Sequence, residues 1–298
     1  MAMKHVLWGL VAAACLSTAT GLQAEDVYGL AKGAPDLKSA GPMAFGPNGI
    51  LFVGDSKGAA LFAIQTGDDV GNPSEVSLNI TDLPAKLAKV LRAKAGEIEV
   101  TDLAVNPLSG HAYLSVHVVG EGRRRRNLRG ETITDLAYAD GHVLISGLRE
   151  GETRSAVRSL KFPFQDADEG AGLEIYHAAH GRVEDYSPIR TFIPFTIDGE
   201  PNVLAGFVCT PLVRFPLKQI QEGTKIQGTT VAELGNRNRP LDMIAYKKGG
   251  QDFLLLANSA RGVMKISTEN IGRQDGLTEQ VRFGGTAGQT YETIDSLN

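Results

Sequence analysis

The chain has 298 residues, of which 42% are hydrophobic and 21% charged, so it can bury a sizeable core and is unlike a disordered or collagen-like chain. Its 35 Gly and 13 Pro call for many turns. The net charge of −4 offers no general attraction to nucleic acid or anionic lipid, so neither is expected as a partner.

The chain opens on Lys4-His5, an apolar run from Val6 to Leu16, and a stretch of small and polar residues ending at Ala24. A basic start, a short apolar middle and a small residue at the cut predict a signal peptide over 1–24, with export to the periplasm or the cell exterior. The apolar run is too short to span a membrane, so no integral membrane association is expected after cleavage. Ala12 stands where a lipid-attachment site would have Leu, which argues against anchoring at Cys15. Residues 25–298 then carry 29 basic and 34 acidic side chains, a net charge of −5, with Cys209 as their one thiol. With no partner for a disulfide, and in the apolar run from Val203, Cys209 is expected to be a buried structural thiol.

A recurring unit follows. Gly41–Asp55, Thr101–Ser115, Thr134–Ser146 and Leu241–Asn258 each read as an apolar strand, a turn of Asn, Asp, Pro or Gly, and a second apolar strand ending in a small or polar residue. Each predicts a β-hairpin, because these turn residues accept positive φ or preset the turn. The strands are apolar at almost every position, the pattern of strands covered on both faces. Two more hairpins are expected over Leu173–Tyr186, turning at His180-Gly181, and over Val203–Leu217; the one strong helical segment is Leu83–Lys94. Between the second and third hairpins lies the only charge run, Arg123 to Arg126 with Arg129, expected as a solvated loop. At the end, Glu292–Leu297 echoes Glu131–Leu136, as though another first strand began there, either closing a ring or marking a shortened chain.

Repeated β units without helices predict an all-β fold, a β-propeller, and at ~45 residues per blade six to seven four-stranded blades fill residues 25–298 as a single domain, some of them abbreviated. The segments Asn106–Ser115 and Phe253–Ile266 resemble hairpins of the secreted YVTN and NHL-type β-propellers. The absence of Trp beyond Trp8 departs from Trp-Asp repeat and quinone-dehydrogenase propellers.

Aligning the repeats puts Asp102, Asp135 and Asp242 in one column at the start of the inner strand, while Asp55 and Asn258 end second strands. In a propeller these positions share one face, an oxygen-rich mouth suited to Ca²⁺ or another divalent cation. The competing reading is that each residue caps its own turn. No cofactor is required by any motif. His177 and His180 are expected on alternate faces of a hairpin, without zinc spacing. Two functions follow as expectations. One is an exported binding or scaffold protein for an unknown protein or small-molecule ligand. The other is a metal-dependent hydrolase of lactones or esters, acting through the five residues above. Resemblance to gluconolactonases would imply a Glu just before Gly41-Pro42, where this chain has Ala40.

Overall fold

The computed structural model describes residues 28–119, 128–166 and 168–297; the signal peptide, Cys15 and the arginines from Arg123 to Arg126 lie outside them. The described chain is all-β, with one α-helix and five sheets. The first sheet holds β1 (Met43–Phe45), β2 (Ile50–Asp55) and β3 (Ala60–Gln65). Then comes α1 (Leu83–Leu91), where the sequence reading put a helix; the Asp82 carboxylate accepts the Ala85 N–H at its start. The second sheet is only the hairpin of β4 (Ile98–Val105) and β5 (Ala112–Val118).

The third sheet runs through β6 (Asp135–Ala139), β7 (His142–Leu148), β8 (Ser155–Lys161), β9 (Ala171–His177) and β10 (Arg182–Glu184). The fourth begins with β11 (Ile189–Ile197), β12 (Glu200–Phe207) and β13 (Pro211–Pro216). The chain next returns to the third sheet, where β14 (Lys225–Gln227) pairs parallel with β9, before β15 (Thr229–Glu233) pairs with β13. The fifth sheet holds β16 (Pro240–Lys248), β17 (Gln251–Asn258) and β18 (Gly262–Ser267). Finally β19 (Ala287–Gly288) pairs with β15, and β20 (Tyr291–Thr293) with β18.

All the hairpins expected from sequence form, and their turns explain why. Asp140-Gly141, and Asp198-Gly199 in the further hairpin of β11 and β12, hold consecutive positive φ values, the two-residue turn whose twist matches that of paired strands. The echo at Glu292–Leu297 has a different outcome: β20 lies on the outer side of β18, within the fifth sheet, and is not a new first strand.

The sheets hold three, two, six, five and four strands, so the described chain is not built of six or seven uniform four-stranded units. The shortfall has a local cause. Residues 66–97 form turns and α1 in place of outer strands, and only a short connection separates β5 from β6. Among the described residues, strand pairing does not join the sheets into a closed barrel.

Apolar cores lie between neighbouring sheets. Met43, Leu51, Val53 and Ala104 join the first and second sheets; Phe52, Val143 and Ile145 join the first and third. Leu173, Ile175, Phe207 and Phe215 join the third and fourth, and Leu204, Leu234, Leu254 and Met264 the fourth and fifth. First strands accordingly pack in the order β4, β1, β6, β11, β16. Being covered on both sides is why β2, β7 and β12 are apolar along almost their whole length. Among the described residues no helix is long and apolar enough to cross a membrane.

Candidate metal centre

Two hydrogen bonds align the ends of neighbouring sheets. Asp102 accepts the Met43 N–H at 2.6 Å, and Asp135 accepts the Phe192 N–H at 2.7 Å. Each links one sheet's first strand to that of the next: Asp102, midway along β4, holds Met43 at the start of β1, and Asp135, at the start of β6, holds Phe192 within β11. The structure therefore gathers strand starts, and the ends of β2, β9, β12, β15 and β17, on one side of the molecule.

Asp102, Asp135 and Asp242 are close enough to act on one another electrically. Burial, then the Asp242 charge against the Met43 N–H, brings the Asp102 carboxyl up to about 7. Burial, then the charges of Asp102 and Asp242, holds Asp135 well above the usual carboxylate range, and burial also raises Asp242. Asp55 and Asn258 do not join this group through any hydrogen bond among the described residues. Asp55 accepts Lys38 N–H, Ser39 O–H and Gly58 N–H, which outweigh the effect of burial and hold it at about 2. Asn258 Oδ1 accepts the Ala260 N–H of its own turn. Both residues bond their own turns, Asp55 through Gly58 N–H and Asn258 through Ala260 N–H.

A different cluster has the donors of a metal site. His177, the last residue of β9, is 1% exposed in its side chain, whereas His180 in the following turn is 41% exposed. Both His180 and Gly181 donate their N–H to the His177 carbonyl. This turn folds one imidazole over the other, with ring centroids 3.9 Å apart. The alternation expected of a strand does not apply, because β9 has ended. Cys209 arrives from the β12–β13 turn, and one ligand atom from each of His177, His180 and Cys209 lies within 4.8 Å of the others.

The Cys209 turn is conformationally costly. Cys209 and Thr210 have φ of 63° and 55°, a left-handed pair that lacks the usual Gly. Cys209 N–H to the Asn238 carbonyl at 3.0 Å, and Thr210 O–H to the Gly235 carbonyl at 2.6 Å, hold it there. Cys209 is thus half-buried at a strained turn beside two imidazoles, which corrects its reading as a structural core thiol.

Glu184 orients both rings. Its side chain is fully buried, with Oε2 2.8 Å from His177 Nδ1 and Oε1 2.7 Å from His180 Nδ1. Burial pushes this carboxyl up, but the bonds from His177, His180 and Tyr186 prevail and hold it at about 2. Burial pushes His177 the other way, toward the neutral imidazole. A neutral His177 that donates from Nδ1 has its lone pair on Nε2, and that atom is buried without a partner. Carboxylate-held imidazoles with a free second nitrogen are the usual supporting arrangement of metal-ligating histidines.

Glu233 ends β15 on the same side. Its Oε2 accepts the N–H of Ala179, between the two histidines in sequence, at 3.0 Å; its Oε1 is buried and unpaired. Burial, opposed by the Ala179 N–H and reinforced by the Glu184 charge, brings this carboxyl up to about 7. Two surface cavities lie elsewhere. One of about 260 Å³ is lined by Phe195 to Asp198, Asp252 and Thr268, and one of about 480 Å³ by Arg149, Glu150, Arg158 and Glu169.

Sequence reasoning passed over this site although one signal was present. His177-Ala-Ala-His180 spans four residues, and in a β-turn the first and fourth residues lie within ~7 Å. Cys209 and Glu233 reach the site only through the packing of the third and fourth sheets. No family model, curated protein or solved structure matches the chain.

Proposed function

We propose that this is an exported binding protein of the YVTN/NHL β-propeller type, whose ligand is one transition-metal ion held by His177, His180 and Cys209. The observation that carries the reading is the convergence of two imidazoles and a thiol while buried His177 Nε2 lacks any partner. Imidazole and thiolate select Zn²⁺ or copper over Ca²⁺ or Mg²⁺, which prefer oxygen. The side-by-side packing of the sheets' first strands supports the propeller type, and the basic and apolar residues at the start of the chain support export.

The test is calorimetric titration of the purified full chain with Zn²⁺. One equivalent is expected to bind and to raise the melting temperature, by ~2.7 kcal/mol of added stability at a free metal concentration 100 times Kd. Cys209→Ser and His177→Ala should each weaken binding severely. No uptake, or uptake unchanged in both variants, refutes the site.

A second reading keeps the divalent-cation site at the start of the first strands. It is favoured by Thr191, whose buried hydroxyl lacks a partner and which neighbours Phe192, the residue bonded to Asp135. Here Ca²⁺ would lie among Asp102, Asp135 and Asp242, and the same titration with Ca²⁺ measures it.

A further inference from the structure

At the end of β9 opposite to His177, two guanidiniums share the cavity of about 480 Å³ with Glu150, Glu169 and Gly223. Arg149 follows β7, Arg158 stands on β8, and Glu169 and Gly223 precede β9 and β14. Arg149 is fixed by the backbone: its Nε donates to the Thr153 carbonyl at 3.1 Å, and its Nη1 to the Gly170 carbonyl at 2.8 Å and the Glu169 carbonyl at 3.4 Å. Gly170, with φ of 83°, joins the two arginines. A Cβ there would lie 2.9 Å from Arg158 Cγ and 2.8 Å from the Val157 carbonyl oxygen, so glycine lets the Arg158 stem rest on the backbone that holds Arg149.

Arg158 is half-buried and, among the described residues, has no hydrogen-bond or ion-pair partner. The Asp168 carboxylate, which attracts it, is bonded instead to the Ser159 and Gly170 N–H groups. Glu150 and Glu169 are exposed and form no ion pair with either arginine among the described residues. Burial, opposed by Asp168 and reinforced by the Arg149 charge, lowers the Arg158 guanidinium. An anion relieves two like charges at one cavity, and planar guanidinium forks match a carboxylate or a phosphate bidentately. The two glutamates decide between these, because they repel a phosphate dianion and attract an ammonium group.

We propose that this cavity binds a small zwitterion, an amino acid or short peptide, whose carboxylate lies between Arg149 and Arg158 and whose ammonium group faces Glu150 and Glu169. Its volume falls within the ~300–1,000 Å³ of small-molecule pockets. The seven residues of β9, ~20 Å of strand, separate it from His177, so the ligand needs no metal to bind.

The experiment is calorimetric titration of the metal-free full chain with L-alanine and with L-alanyl-L-alanine, at least one of which is expected to bind at one equivalent. Converting the carboxylate of the bound probe to an amide should weaken binding at least ~tenfold, and acetylating its ammonium group should weaken it as well. Arg158→Met should lower affinity ~10–100-fold without lowering the urea midpoint, because Arg158 makes no bond that the fold needs. Arg158→Lys should recover only part of that loss, since an ammonium group lacks the fork. Glu169→Gln should weaken the zwitterion while inorganic phosphate gains. No heat from either probe overturns the proposal, as do capped probes that bind as well as the free ones. Inorganic phosphate that binds more tightly than both probes overturns it too, and makes the cavity a plain anion site. Arg158→Met at full affinity would place the ligand elsewhere. Should Arg158→Met not fold, the capped probes and phosphate still decide.

Discussion

The junction of the third and fourth sheets and that of the first and second are built from similar hairpins but packed very differently. At the former, Leu173, Ile175, Phe207, Val213 and Phe215 are almost wholly buried in one cluster. At the latter the second sheet contributes Ala104 as its one fully buried core residue, with Tyr113 packed against it, and leaves Val100, Leu103, Val105 and Val118 exposed. The cluster of His177, His180 and Cys209 lies at the better-packed junction. The contrast teaches that a site needing fixed geometry is supported where the core around its strands can hold the turns in place, since close-packed neighbours leave side chains little room to shift.

The largest expected effect tests this contrast directly. Phe215→Ala, in the dense junction, should cost ~3–5 kcal/mol in urea denaturation, whereas Leu103→Ala in the second sheet should stay within ~0.5 kcal/mol. Equal costs at the two positions would abolish the distinction. Gly228→Ala comes next. A Cβ there would overlap the Phe215 ring and meet the Val213 side chain, while Gly228 donates its N–H to the Glu174 carbonyl at 2.8 Å. Overpacking of this kind costs ~1–3 kcal/mol, and a loss of Zn²⁺ affinity alongside it would link the core to the site.

A third test is one of pH. In the metal-free chain Glu233 and Asp102 lie at about 7, above their unfolded values of 4.5 and 3.8, with Asp135 and Asp242 raised as well. Raised carboxyls stabilise fully below the unfolded values and lose that contribution as pH rises through the folded ones. His177, lowered by burial, opposes them in the same range. Four carboxyls against one imidazole predict a lower urea midpoint at pH 8 than at pH 5, and a higher one would reverse the assignment. Glu184 and Asp55, at about 2, act in the acid range, where their stabilisation fades as pH falls from about 4 toward 2.

Hairpins were legible in the sequence because their determinants are local: Asp140-Gly141 closes β6 onto β7 by the φ values those two residues accept. The Asp column was legible for the same reason, as a repeat position. The cluster that unites His177 with Cys209 was not, because it depends on how two sheets stack. Nor was the placement of the second sheet beyond the first, which separates chain order from spatial order. Strand alternation misdirected the reading of His180, since alternation ends where the strand does. Turn-capping residues such as Asp55 and candidate ligands such as Asp135 look alike in sequence; only their partners distinguish them.

The return of β14 to β9 has a consequence for how the protein opens. Its parallel pairing ties a segment of the fourth sheet's connection to the third sheet, across a long stretch of intervening chain. Neither sheet can fray away as an independent unit without breaking that seam. Amide protons of β9, β12, β13 and β14 should therefore exchange with solvent as a single cooperative block, while the β4–β5 hairpin opens on its own and earlier.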